Sequence, residues 1–307
     1  MKYINQLLKI LLVLSMMTMS GCSARKVKEE GKVIDTSMFL YKVSDHEGNY
    51  SYLFGTCHPG RDEIKSLDEI TEKVLQESDS IYLECTLDTQ ETQKYTKYLS
   101  YNSIMDLGLE DMYYDIMDKY STLKGKSNYV VYNVMAISSI VLSDKEIMAE
   151  TKVNAFNAVD YYIFNYASDR GNFKEVEGLE KQYKMFAELS KGYSQEILEG
   201  LKDKGAQIEA TNAILDAYFT GDVDFFEKEQ NQTLAVIDQL DGEEKEKAVK
   251  YQNMLVYDRN VFMKETLENC IKNKEHNFIG VGCRHLYGQK GIIQLLKNDG
   301  YIVESMK

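Results

Sequence analysis

One local pattern stands at both ends of this chain, and it constrains the fold more than any other feature. A short apolar, strand-like run leads into Gly-x-x-His, first with Gly55 and His58 and again with Gly282 and His285. Around the first copy, 38–43 and 50–54 read as a hairpin that turns at Asp45 and Gly48. Beyond it, Ile64, Leu67, Ile70, Val74 and Leu75 recur at helical spacing, and 81–83 form a short apolar strand ending at Glu84. At the carboxyl end, 277–281 is a strand, 292–296 a helix, Gly300 a stop, and 301–303 a strand ending at Glu304. Strand, loop, helix, strand thus occurs twice, as a crude internal repeat. The predicted fold is mixed α/β (α+β), with a pseudo-two-fold β core built from the N- and C-terminal segments.

Between the two ends, about 92–274 is helical in pattern, with Tyr, Met, Leu and Ile on one face and Lys and Glu on the other. The chain of 307 residues has one proline, Pro59, so this stretch carries none to break its helices. Only 173–177 looks strand-like within it. Residues 160–167 suggest a helix closed by Gly171, and 243–273 one long helix or two. The many Tyr and Met side chains fit core packing better than a cofactor site.

The amino terminus has a different character. Lys2 and Lys9 give a positively charged start ahead of an apolar stretch, 10–19, that is short for a bilayer span, and Met19-Ser20-Gly21-Cys22 resembles a lipoprotein cleavage box. The expected organisation is a signal peptide over 1–21 and a polar tether over 22–36 that starts at a lipidated Cys22. A single domain over 37–307 follows. Acyl chains on Cys22, palmitate among them, would hold the protein on the extracytoplasmic face of the cell membrane. No later apolar run is long enough to span a bilayer.

Lys and Arg total 36 against 49 Asp and Glu, a net charge of -13, which argues against a general nucleic-acid-binding surface. Five cysteines are too few for a disulfide scaffold, and 44% hydrophobic residues suffice for a sizeable core.

Of the four histidines, His46 and His276 lie in polar, turn-like surroundings and read as surface residues. His58 and His285 share one context, in the kind of loop after a strand where α/β folds present functional groups. The glycine of each motif permits either a tight turn or the close approach of another group. Two imidazoles with the carboxylate of Glu84 are a sufficient shell for a catalytic divalent transition metal (Mn, Co or Zn) that keeps positions open for water and substrate. Cys57, Cys85 and Cys283 adjoin these residues. Thiolate ligation and a Cys57–Cys283 disulfide are open alternatives, but small buried hydrophobes are the better reading. Signatures of zincins, serine hydrolases and P-loops are missing, and His285 replaces the third glycine that a dinucleotide fingerprint beginning Gly280-Val281-Gly282 would need.

Several segments together resemble the TraB/GumN family. They are Leu40-Tyr41-Lys42-Val43, the run from Tyr52 to His58, Ile81-Tyr82-Leu83-Glu84, the run from Phe278 to Gly288, and the closing residues 291–303. Val159-Asp160, Val176-Glu177 with Gln182, Gly221-Asp222 and Asp258-Arg259-Asn260 agree in order. The resemblance covers about 38–304. Departures are Tyr41 where Trp is frequent, Thr86 where an acidic residue often follows, and Gly178 in place of Ser or Thr. The family includes plasmid-encoded pheromone-shutdown proteins and is similar to the Tiki ectodomains, proposed metal-dependent proteases. It also looks distantly like the erythromycin esterase and ChaN groups. The resemblance implies a site built on His58, Glu84 and His285, with Arg259, Asp160 and Glu177 in support. It implies a membrane-tethered, metal-dependent hydrolase of peptide or protein substrates. The alternative is a lipoprotein that binds or blocks a peptide signal without cleaving it.

Overall fold

The structure, a computed structural model, describes residues 31–307. The expected signal segment, Cys22 and the first part of the tether lie outside the described residues. The strands are β1 (Lys32–Ile34), β2 (Leu40–Ser44), β3 (Tyr50–Thr56), β4 (Ile64–Leu67), β5 (Ile81–Leu83), β6 (Phe173–Glu175), β7 (Phe278–Gly282) and β8 (Ile302–Ser305). The helices are α1 (Glu69–Glu77), α2 (Thr89–Gln93), α3 (Glu110–Met117), α4 (Val134–Val141), α5 (Lys145–Thr151) and α6 (Val159–Arg170), then α7 (Leu179–Leu201), α8 (Lys204–Thr220), α9 (Val223–Asp238), α10 (Gly242–Gln252), α11 (Asp258–Lys272) and α12 (Ile292–Asn298).

Six strands form one mixed sheet in the order β6-β5-β7-β3-β2-β8. The predicted hairpin is present as antiparallel β2 and β3. Strands β3, β7, β5 and β6 run parallel, so their carboxyl ends open on one edge, the usual place for a site in such sheets. Gly55 pairs in register with Val281 and Thr56 with Gly282, which sets the two Gly-x-x-His motifs side by side. The crossovers β3-α1-β5 and β7-α12-β8 run in opposite directions across the sheet, and right-handed connections therefore place α1 and α12 on opposite faces. Cover on both faces explains why β7 is buried at every residue. The repeat holds in plan but not strand for strand, because antiparallel β2 stands between β3 and β8 with no counterpart beside β7.

Two expectations are corrected. Ile64 and Leu67 belong to strand β4 rather than to a helix, because Asp68 caps α1 by accepting from the N–H groups of Ile70 and Thr71. Strand β4 pairs in parallel with β1, so Lys32–Ile34 are strand where a polar tether was expected. The segment 31–36 looked like tether because its strand partner is only visible in the fold.

Phe39, Phe54, Phe226 and Phe278 are fully buried around the sheet, each removing enough apolar surface to contribute about 2 kcal/mol before entropy is counted. The helical middle builds a second core around Tyr113, Tyr120, Leu189 and Leu215, and Phe219 packs against both. Where one helix or two was expected near the end of this region, α10 passes through a π-helical turn, Asn253–Tyr257, directly into α11. Among the described residues, no helix is long and apolar enough to cross a membrane.

Candidate functional site

Four parallel strands deliver the site. His58 follows β3, Glu84 follows β5, Glu177 follows β6, and His285 closes the single 3-10 turn after β7. Glu84 sits at the centre, almost fully buried. Its Oε1 accepts from the Gly282 N–H at 2.7 Å and faces both imidazoles, with His58 Nε2 at 3.7 Å and His285 Nε2 at 3.8 Å. Its Oε2 accepts from Gln182 Nε2 at 3.1 Å and from Arg259 Nη2.

Each histidine is held through its other nitrogen. His58 Nδ1 lies 3.2 Å from Asp160 Oδ1, and His285 Nδ1 lies 2.6 Å from Asn260 Oδ1. The Asn260 amide donates its own N–H to the Lys290 carbonyl, which fixes its oxygen toward His285. Both partners are acceptors, so each Nδ1 carries a proton toward its partner and each Nε2 is turned toward Glu84.

Arg259, from the first turn of α11, grips Glu177 through Nε at 2.9 Å and Nη2 at 2.6 Å while the same Nη2 reaches Glu84. Its Nη1 donates to the Leu255 carbonyl, an acceptor that the π-helical turn brings within 3.1 Å. With all three nitrogens engaged, Arg259 fixes the orientation of the two carboxylates.

The electrostatics divide the two imidazoles. Burial lowers the basicity of His58, but Asp160 and Glu84 outweigh it and raise its pKa to about 9. Burial and then Arg259 push His285 down to about 3 against the pull of Glu84. Burial opposes ionisation of Glu84, yet Arg259, the two imidazoles and the Gly282 N–H together hold its pKa well below the carboxylate range.

The glycines answer the question left open by the sequence. Gly282 has an ordinary backbone conformation, and a Cβ there would stand 3.2 Å from both Glu84 Oε1 and His58 Nε2. A Cβ on Gly55 would stand 3.1 Å from the Cβ of Cys283. Close approach, not a tight turn, is what both motifs require. His58 and Glu84 also line a cavity of about 40 Å³, together with Asp160, Arg259 and His285 among others. That is room for a few waters or an ion with water, not for a peptide.

A divalent metal fits the donor set here: two imidazole nitrogens and one carboxylate oxygen, with oriented Nδ1 partners. Asp160 Oδ2, buried and without a hydrogen-bond partner, lines the same cavity. The separations of 3.7 and 3.8 Å are wider than the roughly 3.3 Å between ligand atoms on one tetrahedral ion. Among the described residues, no group of three His, Cys, Asp or Glu side chains stands at ligand spacing. Binding would therefore draw His58 and His285 in by a few tenths of an ångström.

All six chemistry-bearing residues expected from the sequence converge, and His46 and His276 are exposed as expected. Gln182 and Asn260 were not singled out, although both belong to the ordered landmarks beside Glu177 and Arg259. Arg284, buried against Glu229 and lining the cavity, was missed too. Asp88, two residues beyond Thr86, caps α2 and accepts from the N–H groups of Gln90 and Glu91. Gly178 adopts φ 85°, a conformation that Ser or Thr would strain to reach, while its N–H donates to the Glu84 carbonyl. Cys57, Cys85, Cys270 and Cys283 are buried free thiols, and burial raises the pKa of each, which leaves them inert.

The model of the TraB/PrgY/gumN family matches residues 39–305. The chain belongs to that family. No curated protein and no solved structure matches it. The match runs from just before β2 to the last strand, so the TraB/PrgY/gumN domain includes both Gly-x-x-His motifs and the helical middle between them.

Proposed function

We propose that this TraB/PrgY/gumN protein is a metal-dependent hydrolase of peptide or amide bonds, tethered by a lipid on Cys22 to the outer side of the cytoplasmic membrane. One observation carries the reading: two imidazole Nε2 atoms and a Gly282 N–H converge on a single carboxylate oxygen, Glu84 Oε1, beside a space kept open by a missing side chain. His58, His285 and Glu84 would hold the ion. When bound, a divalent ion supplies a Lewis acid and lowers the pKa of a coordinated water.

The protein's own groups have separate tasks. Asp160 and Asn260 hold the Nδ1 side of each ring and so turn each Nε2 toward Glu84. Arg259 and Gln182 hold Glu84 Oε2, which leaves Oε1 to face the cavity. A metal-free mechanism with His58 as general base is less well supported, because Asp160 and Glu84 raise its pKa and so favour the protonated ring. The small cavity requires the scissile bond to enter from the open side, with the rest of the substrate outside.

The test is a pool of defined peptides incubated with the purified protein and followed by mass spectrometry. Cleavage that a chelator abolishes and added Mn²⁺, Co²⁺ or Zn²⁺ restores is expected. Peptides retained by the protein but recovered at unchanged mass would overturn the reading in favour of a binding or inhibitory lipoprotein.

A further inference from the structure

A second cavity, of about 240 Å³, adjoins the site, and nothing so far gives it a role. Gln182 and Arg259 line both cavities and form the partition between them. Each also hydrogen-bonds Glu84 on its Oε2 side. The outer space is therefore one side-chain thickness from the central carboxylate.

Its walls come from neighbouring stripes of the same two elements that build the inner cavity. On α7, Gln182 and Phe186 face inward, while Lys181 and Met185, each one residue earlier, line the outer space. On the other side, Leu255 and Arg259 line the inner cavity, while Met254 and Asp258, each one residue earlier, line the outer one. The slot thus has one thioether on each side, Met185 and Met254, and four charged groups around it, Glu177, Lys181, Asp258 and Arg259. Methionine side chains are flexible and polarizable, and two facing ones accommodate an unbranched methylene chain well.

The charges choose the head group. Glu177 is gripped by Arg259, and Lys181 is engaged by Glu177 Oε1 at 3.6 Å and by the Phe262 ring at 3.4 Å. Asp258 is exposed at the mouth of the slot, and its carboxylate makes no hydrogen bond or ion pair among the described residues. The one uncompensated charge of the slot is a carboxylate. We infer that this slot is a subsite for an unbranched aliphatic side chain ending in a cation, a lysine-like residue of the substrate, with Met185 and Met254 against the stem and Asp258 against the head. The inference rests on the peptide-hydrolase reading for its biological sense but not for its test.

The experiment reads binding without turnover. The full chain, labelled with ¹³C at the methionine methyl groups, is titrated with the N-acetyl amides of lysine, norleucine and glutamate. Met185→Leu and Met254→Leu assign the two resonances. Expected is a saturable shift of both with the lysine derivative, at least tenfold weaker binding of norleucine, and at least tenfold weaker lysine binding in Asp258→Asn. No shift at Met185 and Met254, or equal binding of lysine and norleucine derivatives, overturns the inference. The two readings fail separately. A protein that cleaves peptides while these methyls stay still loses only the subsite, and one that binds the lysine derivative there yet cleaves nothing loses only the hydrolase.

Discussion

The backbone N–H of Gly282 donates to Glu84 Oε1 at 2.7 Å, and the side chain that Gly282 lacks would occupy the space in front of that same oxygen. One residue thus both anchors the central carboxylate and leaves it approachable.

Gly282→Ala should separate function from folding. The φ of −51° suits alanine, so stability should change by no more than about 1 kcal/mol, while metal binding and hydrolysis are lost. Gly280→Ala should do the reverse, because its Cβ would meet the Leu83 side chain at 2.8 Å inside the sheet core and cost about 1–3 kcal/mol. Urea denaturation with metal titration distinguishes them, and normal metal binding by Gly282→Ala would refute the role given to that space.

Arg259 is buried between Glu84 and Glu177. Removing it strands two carboxylates in the interior, and Arg259→Met should cost about 3–5 kcal/mol. The double variant Arg259→Met with Glu177→Gln should recover part of that loss. Equal stability of the wild type and the single variant in chemical denaturation would show that the guanidinium is not the partner holding these carboxylates.

Asn260→Ala removes the acceptor that fixes the His285 tautomer. Metal affinity, measured by competition with a chromophoric chelator, should fall roughly 10–100-fold, whereas Asn260→Asp, which keeps an acceptor oxygen, should stay close to wild type. Identical affinities for alanine and asparagine at this position would contradict the assignment.

The chelator-treated protein should be most stable near pH 6.5 and lose stability on both sides. His58 titrates at about 9 in the fold against 6.5 in the unfolded chain, so its contribution is complete below 6.5 and is lost as pH rises toward 9. His285 is depressed to about 3, so its effect has the opposite sign: stability is retained above 6.5 and falls as pH drops toward 3. Glu84, held low by Arg259 and the imidazoles, adds to the acid-side loss below about 4.5. In His58→Gln the alkaline limb alone should flatten, and an unchanged limb between pH 6.5 and 9 would assign the titration elsewhere.

The residues legible in the sequence were those whose signals are local. The hairpin, the strand before Glu84 and the helix closed by Gly171 each carry their own pattern of β-formers, period or left-handed stop. Strand β1 was not legible, because its partner β4 lies thirty-odd positions away and periodicity read Ile64 and Leu67 as helical. The contribution of Asn260 was hidden for another reason: only the turn after β7 and the passage from a π turn into α11 bring it against His285. The motifs located the imidazoles, while their pKa separation depends on Asp160 and Arg259, which are far away in sequence.

The most direct test of the account is the metal content of the purified protein after reconstitution with Mn²⁺, Co²⁺ or Zn²⁺, beside His58→Ala and His285→Ala. About one equivalent in the wild type, and none in either variant, is the predicted result for a single ion shared by the two motifs. No bound metal in the folded wild type, or one equivalent retained after either substitution, would contradict it.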